Sequence, residues 1–456
     1  VERTTPLRLD AAFTTALDHA LILRYGLTLH YDRSRSYRQM RDLLGARYLT
    51  DIDRYLIDDD TYSNLLQNDL RHPDREIREG DRFGYDYALL MREARILLQA
   101  DYRSDRLRAD LSAELGSAAV SRRGYYEKEL FPGDLSYGPS RTLRFSPWLV
   151  KALVGWSFSA RSYLEGILFA AADAPRADQL FYQPLYNNRP IEQPRCERTY
   201  AAELSWRRTG AQFDLRLAAY AAAVYDRQQT RRYYDDLSSL YCDMSVSGIG
   251  LLSCGVEAAA EIRLPYRWQL ALAASAGRFT YIRDPEVTVL SDVDNTAVLT
   301  RARARMADCQ IGGAPQLAAA SELTYFGPRG WGFHLSAGYA GLRYVEPMPL
   351  RRTDRVSGQA GLTPEAFEAF TRQERLSDAF TLDASLFKSF YFGRSRLTVA
   401  LMLHNLTDAA DLLYNGYESL RVRRISAGDA TLWMPHATRY TYAYPRSFYL
   451  TISYRF

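Results

Sequence analysis

Apolar and polar side chains alternate along the last ten residues of the chain, SFYLTISYRF. Phe448, Leu450, Ile452, Tyr454 and Phe456 fall on one face of an extended segment, and the intervening Tyr, Thr, Ser and Arg fall on the other. A repeat of two residues is the period of a β-strand, whose successive side chains point to opposite faces. The pattern therefore predicts a strand with one apolar and one polar face.

The same alternation recurs along nearly the whole chain. In LRLDAAF, for example, Leu7, Leu9 and Phe13 alternate with Arg8 and Asp10. The pattern predicts about 15 strands. Their approximate ranges are 6–18, 20–35, 90–105, 106–122, 143–160, 161–173, 197–210, 211–228, 243–265, 267–283, 305–327, 330–345, 378–392, 395–408 and 443–456.

The connections between these strands alternate between tight turns and long polar segments. The long segments lie near 36–89, 123–142, 174–196, 229–242, 284–304, 346–377 and 409–442. Short turns at one end and long loops at the other are typical of outer-membrane barrels, in which strand pairing satisfies the backbone in lipid. We therefore predict an all-β, transmembrane, antiparallel up-and-down barrel with short periplasmic turns and long extracellular loops.

A secreted repeat of β-sandwiches is the soluble alternative. In sandwiches the loop lengths have no reason to alternate, and a second packed sheet would not accept the Arg, Asp and Glu residues of the polar faces. A water-filled lumen accepts them.

The number of predicted strands indicates whether the barrel is complete. About 15 strands are predicted, and an odd number cannot close a single-chain antiparallel barrel of this kind. The sequence thus predicts an incomplete barrel.

Composition narrows the function classes. The 456 residues carry 58 basic and 54 acidic side chains, interspersed, for a net charge of +4, which argues against nucleic acid as a partner. No apolar run approaches the roughly 18 to 20 residues of a membrane-spanning helix, and the N-terminal VERTTPLRLD has none of the features of a signal peptide. Catalytic and phosphate-binding motifs are also absent from the sequence. We predict neither an enzyme nor a bound cofactor.

Several stretches carry a family resemblance, including RDLLGARYLTDIDRYLIDD, YYEKELFPGDLSYGPSRTLRF, LHNLTDAADLLYNGYESLR and YPRSFYLTISYRF. They resemble TonB-dependent outer-membrane receptors of Bacteroidetes, of the type with an N-terminal carboxypeptidase-regulatory-like domain. The resemblance spans essentially the whole chain. It implies a location in the cell outer membrane and uptake of a scarce nutrient through a plug-gated barrel of about 22 strands.

The resemblance also implies which parts and partners to expect. Residues 1–456 are expected to be the C-terminal part of the barrel domain, without the plug, TonB box and signal peptide. Expected partners are outer-membrane lipid, the TonB complex through the missing N-terminal part, and a small-molecule ligand. The terminal Phe456 resembles the signal that the barrel-assembly machinery reads. An iron or cofactor chelate is the favoured ligand, and a glycan or peptide importer and a passive porin remain alternatives.

Two aromatic-rich segments in the long loops are candidate ligand contacts, because they place stacking surfaces beside hydrogen-bonding groups. Both are mixtures suited to a polar ligand at the barrel mouth, although Tyr is equally common in interfacial belts. The candidate residues are Tyr182, Tyr186, Asn187 and Arg189 in FYQPLYNNRP, and Tyr233 and Tyr234 in RRYYDD.

An acidic segment in the first long loop is a candidate metal site. Asp51, Asp53 and Asp58 offer oxygen ligands of the kind that Ca²⁺ prefers. The segment lacks the spacing and the glycine of an EF-hand, which favours the alternative that it is a solvated acidic loop.

Overall fold

The computed structural model describes residues 1–53, 66–292, 297–357, 363–410, 412–427 and 430–456. The strands in the first half are β1 Glu2–Ala16, β2 Leu21–Gln39, β3 Leu49–Thr50, β4 Glu76–Ile77, β5 Arg82–Arg103, β6 Leu107–Gly124, β7 Gly138–Pro139, β8 Leu143–Phe145, β9 Trp148–Ser159, β10 Ser162–Asp173, β11 Glu197–Thr209 and β12 Phe213–Asp235. Those in the second half are β13 Leu240–Leu264, β14 Trp268–Tyr281, β15 Glu286–Ser291, β16 Ala297–Arg303, β17 Leu317–Phe326, β18 Trp331–Gly341, β19 Arg343–Tyr344, β20 Arg375–Leu376, β21 Ala379–Phe392, β22 Ser395–His404, β23 Leu413–Tyr417, β24 Val422–Ala427, β25 Ala430–Pro435, β26 Arg439–Tyr442 and β27 Ser447–Arg455. Two short helices, α1 Asp354–Ser357 and α2 Pro364–Thr371, lie between β19 and β20.

One antiparallel sheet dominates the fold, with 19 strands in the described part of the chain. Its main strands pair in the order β1-β2-β5-β6-β9-β10-β11-β12-β13-β14-β17-β18-β21-β22-β27. Each strand thus pairs with the next main strand along the chain, as in an up-and-down barrel. Within the described residues β1 pairs only with β2, and β27 only with β22, so the barrel is open. The predicted fold class is confirmed, and each predicted strand is present.

The two faces of the sheet have opposite character because the side chains alternate along every strand. Leu9, Leu168 and Ile452 belong to the apolar face and are exposed by 63%, 63% and 66%. A water-soluble domain would bury residues of this type, and a continuous exposed apolar face instead suits contact with lipid tails. No helix in the described residues is both long and apolar enough to span a bilayer.

Tight turns join the strands at one end of the sheet. The β13–β14 turn is Pro265–Arg267, with Tyr266 at a φ of 60°, and the β17–β18 turn is Pro328–Gly330, with Arg329 at 59°. Proline fixes its own φ and rigidifies each turn, while the following residue adopts the left-handed conformation that reverses the chain. The predicted short turns are present at this end.

The prediction of a long loop at 229–242 is wrong. Here β12 continues to Asp235 and β13 starts at Leu240, so only four residues separate them. The alternation stops near residue 228, because beyond this point both faces of the strands contact loops. Two β-bulges, between Val224 and Arg227 and between Arg227 and Gln229, mark the change.

Other boundaries also differ from the prediction at this end. The predicted loop near 284–304 contains β15, which pairs with β13, and β16, which pairs with β15. The strand predicted from residue 305 begins instead at Leu317. We call residues 227–235 of β12, 240–249 of β13, β15 and β16 together the outer hairpin.

The buried apolar core lies at the loop end, on both sides of the outer hairpin. One cluster contains Tyr233, Cys242, Met244, Val246, Ile249, Tyr281, Val287, Val289, Ala304, Met306 and Leu350. The other contains Ala118, Val120, Leu143, Phe145, Leu180, Phe181, Tyr182, Ile191 and Leu290. A barrel with a polar inside and a lipid-facing outside leaves no room for a core along its length. The loops are therefore held by packing against the outer hairpin. The four cysteines, all within the described residues, are free thiols.

Candidate functional site

The polar face of the sheet forms a cavity of about 930 Å³ that strands from β10 to β21 line. Glu165, Arg207, Glu261 and Glu322 are among its charged lining residues. Small residues and two leucines, Leu215 and Leu272, are also part of the lining. A wide surface with charges of both signs stays hydrated.

The long loops converge above this surface, and Lys128 lies at one point of convergence. Its ammonium group is buried and donates to the side chain of Asn68, at 2.7 Å, and to the carbonyl of Gly84. The ring of Tyr186 lies 5.3 Å from the nitrogen. Burial lowers the pKa of Lys128 to about 8. Three separate loops and strand β5 are thus fixed to one another by a single cation.

Arg122, at the end of β6, holds the loop that contains the first aromatic segment. Its buried guanidinium donates to the carbonyl of Pro184 at 2.6 Å, to the carbonyl of Ser136 at 3.0 Å and to Oδ1 of Asn188 at 2.5 Å. Hydrogen bonds from a charged donor are among the stronger ones in proteins. The loop 174–196 is therefore anchored to the barrel.

The four candidate ligand residues of this loop lie in different surroundings. Tyr182 is buried, and burial raises its pKa to about 12. Tyr186 is partly buried between Lys128 and Arg232, and Asn187 is buried and accepts from the backbone of Arg189 at 3.0 Å. The Arg189 guanidinium lies 5.9 Å from the Tyr182 ring. Contact between these residues and a ligand stays a prediction.

The second aromatic pair lies in the outer hairpin. Tyr233 is buried in the apolar core, where burial raises its pKa, and its hydroxyl donates to Asp235 at 3.3 Å. Tyr234 points to the opposite face of the strand, 5.2 Å from the ring of Tyr241 and under the guanidinium of Arg421. The two side chains therefore lie on opposite faces of β12, and the ligand-binding role of both residues stays a prediction.

The acidic segment is partly described. Asp51 is buried, and its carboxylate accepts from Arg75 at 2.7 Å, from the backbone of Gly84 at 2.8 Å and from Asn68 at 3.0 Å. Asp58 lies outside the described residues, and Asp53 lies within them. Among the described residues, no three His, Cys, Asp or Glu side chains form a group that could hold a metal ion. The Asp51 carboxylate thus accepts its hydrogen bonds from groups of the protein, and the cation site stays a prediction.

Replacing Asp51 with asparagine separates these two roles. We expect the loop 40–81 to exchange its amide hydrogens faster, because the Arg75 guanidinium loses its counter-charge. A structural role predicts the same effect with and without Ca²⁺, measured by hydrogen exchange in calcium and in chelator. Protection that depends on Ca²⁺ in the parent protein, and is lost in the variant, would contradict the structural role and support the metal site.

Ion pairs that sequence reasoning missed hold the last two loops to each other and to the connection between β12 and β13. Arg352 and Glu418 form a buried bidentate pair at 2.6 and 2.8 Å. Arg355 pairs with Asp235 at 2.6 and 2.9 Å, and Arg421 pairs with the adjacent Asp236 at 2.6 Å. The partners are 66, 120 and 185 residues apart, and no local sequence signal connects them.

Asp243 on the outer hairpin is a buried acid at the loop end. It is 3% exposed, and its Oδ2 has no hydrogen-bond partner among the described residues. Burial raises its pKa to about 7, with the nearby charge of Arg232 opposing and that of Asp292 adding to the shift. Arg232 is itself paired with Asp292.

The outer hairpin is therefore expected to lose stability as the pH rises from about 5 to 8. The folded pKa of Asp243, about 7, exceeds the unfolded value of about 3.9, so between these two values the folded state holds a proton that the unfolded state has released. Stability therefore falls by about 2–3 kcal/mol between pH 5 and pH 8. Above both pKa values the stability becomes constant. Hydrogen exchange of residues 240–249, corrected for intrinsic rates, measures the change, and Asp243→Asn should abolish it. An equal pH dependence in both proteins would contradict this origin.

The terminal Phe456 is 94% exposed and follows directly on β27. Its side chain lies 6.2 Å from the ring of Tyr454. This position leaves the ring accessible to another protein, and its role as an assembly signal stays a prediction.

A family model described as "TonB dependent receptor-like, beta-barrel" matches residues 3–406. No curated protein sequence matches the chain. Three solved structures with a similar fold are the copper transporter OprC, the FrpB iron transporter from Neisseria meningitidis (F3-3 variant) and the ferric citrate transporter FecA in its unliganded form.

The likeness to these structures is one of fold. Their TM-scores are 0.57, 0.55 and 0.55, and their sequence identities are 11%, 12% and 9%. The alignments cover 99%, 99% and 98% of this chain but only 56%, 55% and 54% of the three structures. The chain therefore spans about half the length of the proteins that it matches.

Proposed function

The chain belongs to the TonB-dependent receptor-like β-barrel family, and from this premise we propose that it works as part of an outer-membrane receptor. The receptor takes up a scarce nutrient through a plug-gated lumen, and the TonB system supplies the energy. The solute crosses without chemical change. The substrate, the partners and the activity of the whole protein are parts of this proposal.

One observation carries the proposal, namely the opposite character of the two faces of the sheet. An exposed apolar face suits lipid, whereas a polar face with charges of both signs suits water and polar solutes. The loops support the proposal as well, because buried cations and ion pairs hold them in one arrangement above the polar face. A preorganised loop surface binds a ligand with a smaller loss of conformational entropy.

The partners follow from the same proposal. Residues 1–456 form the C-terminal part of the barrel domain, with a plug and TonB box supplied by a preceding segment. Lipid contacts the apolar face, and the barrel-assembly machinery reads Phe456. Within this proposal the whole protein is a receptor of the Bacteroidetes type with an N-terminal carboxypeptidase-regulatory-like domain.

An iron or cofactor chelate is the favoured ligand. Arg189 at the loop end and Arg283 beside the outer hairpin are suited to charge-assisted hydrogen bonds with an anionic chelate. The structures with a similar fold include proteins named as copper, iron and ferric citrate transporters, which supports a metal complex. A glycan or peptide is the alternative ligand, and a passive porin is the alternative mechanism.

Transcript levels test the choice of ligand. We expect the gene to be induced several-fold under iron limitation and to be insensitive to added polysaccharide. Induction by a polysaccharide without a response to iron starvation would overturn the chelate in favour of a glycan. The complete gene provides a separate check on the mechanism, since a signal peptide directly before one further strand would favour a porin over a plug-gated receptor.

A further inference from the structure

A second cavity, of about 240 Å³, lies between the loop 174–196 and the outer hairpin. Arg195 and Glu192 of the loop and Arg283, which follows β14, form an exposed rim. Gln228, Ser245 and Thr288 of the outer hairpin form a buried floor. The volume has room for roughly eight water molecules. It is therefore a pocket with a charged opening and an uncharged polar base.

Gln228 is the unusual group in this pocket. Its side chain is only 6% exposed, and its amide nitrogen has no hydrogen-bond partner in the described part of the chain. A buried donor without a partner destabilises the folded state. A leucine would fill the same space without that cost. The amide therefore points to a ligand that accepts its hydrogen bond.

Most acids around the pocket are already paired. Glu286 accepts two hydrogen bonds from Arg301, each of 3.0 Å. Asp226 accepts from Arg198 at 2.9 Å. Because these carboxylates have their own cations, they do not attract a cationic ligand into the pocket.

Asp284 is paired in a different way. It accepts from the backbone of Met306 and Ala307 at 2.8 Å each, and Arg303 lies 3.1 Å away. This acid too has its charge compensated within the protein.

Two cations on the rim are less engaged. The guanidinium of Arg283 lies 4.0 Å from Asp226, which already bonds Arg198, and covers the ring of Tyr225 at 4.6 Å. Arg195 is exposed on the rim, and among the described residues it forms no ion pair within 4.0 Å. Against them stands the carboxylate of Glu192, whose charge acts on Arg301 and Tyr182. Two cations against one acid leave the rim positive.

From this combination we propose that the pocket binds a hydroxycarboxylate. The carboxylate of the ligand lies at the rim between Arg195 and Arg283, and an oxygen of its hydroxyl or carboxyl groups accepts from Gln228. The hydroxyl groups of Ser245 and Ser247 complete the base of the pocket. A sugar acid and the organic-acid arm of a metal chelate share this chemistry. The inference rests on the proposed receptor function and gives it a specific subsite.

The test is calorimetric titration of the protein, purified in detergent from its complete gene. The probes are D-galacturonate, citrate and, as the neutral control, D-galactose. We expect one saturable site for at least one of the two acids, with a Kd of about 0.1–1 mM for a ligand of this size. Galactose should bind at least tenfold more weakly. Tighter binding of galacturonate than of citrate indicates a sugar acid as the ligand, and tighter binding of citrate indicates the organic-acid arm of a metal chelate.

Two variants and a control locate the site. Arg283→Gln should weaken binding of the acid about tenfold, while Arg161→Gln, in the tight turn between β9 and β10, should not change it. Gln228→Leu should also weaken binding about tenfold while leaving the melting temperature equal or higher, because it removes an unpaired buried donor. A merely structural glutamine would give the opposite result, namely a lower melting temperature and unchanged affinity.

Three results would overturn the subsite, namely equal binding of galactose, no saturable binding of either acid, or wild-type affinity in both variants. These results leave the receptor function intact, since nutrient uptake by cells is measured separately. Conversely, loss of the subsite in both variants together with uptake that does not depend on the gene would retain the pocket and reject the receptor function.

Discussion

Replacing Glu418 with alanine is expected to let the loop end open about 3–5 kcal/mol more easily, because Arg352 then remains buried without a counter-charge. Arg352 is 1% exposed, and its two nitrogens donate to the Glu418 carboxylate at 2.6 and 2.8 Å. The same carboxylate also accepts from the backbone of Met348 at 2.7 Å. Hydrogen exchange of residues 342–357 and 413–419 in detergent measures the opening.

Two controls distinguish a buried pair from charge effects in general. The double variant Arg352→Met with Glu418→Leu should recover much of the protection, since replacing both partners with apolar groups removes the unpaired charge. Asp178→Ala breaks an ion pair with Arg176 that is exposed on both sides, and it should leave exchange unchanged. Unaltered exchange in Glu418→Ala would show that this pair does not hold the two loops.

Replacing Arg122 with methionine is expected to destabilise the packing of the loop 174–191 by about 3 kcal/mol. The two carbonyl oxygens of Pro184 and Ser136 and the amide oxygen of Asn188 would lose their donor while still buried. The expected result is faster amide hydrogen exchange throughout this loop. Tyr182 should also become more exposed, because it packs in an apolar cluster with Leu180 and Ile191 of the same loop.

Arg123 provides the matched control for this change. It is the next residue of β6 and is exposed on the other face of the strand. Arg123→Met should change stability by less than about 0.5 kcal/mol. Equal effects of the two substitutions would mean that the loss of positive charge, and not the loss of the Arg122 hydrogen bonds, governs the loop.

The strands were predictable because each of them has one apolar and one polar face. Side chains such as Leu9 and Asp10 therefore alternate, and a period of two appears in the sequence. The alternation ends where the strands no longer have an exposed apolar face. The outer part of β12, with Arg231, Arg232 and Tyr233, contacts loops on both faces, and its strand was therefore predicted as a loop.

The loop end was predicted less well for a related reason. Tyrosines in a polar loop suggested stacking surfaces, but Tyr182 and Tyr233 pack in apolar clusters that only the folded loops create. Pairs such as Arg352 and Glu418 lie far apart in the chain, so spacing gives no sign of them. Gln228 was missed because what marks it is an unpartnered buried amide, a property of three-dimensional surroundings and not of residue type.

Uptake of a radiolabelled ferric chelate by the source bacterium tests the receptor function most directly. Cells are compared with the gene intact, with the gene deleted, with the gene restored and with TonB inactivated. We predict that accumulation falls to background on deletion of the gene or of TonB and recovers when the gene is restored. Uptake that requires the gene but continues undiminished without TonB would contradict the receptor and identify a passive pore.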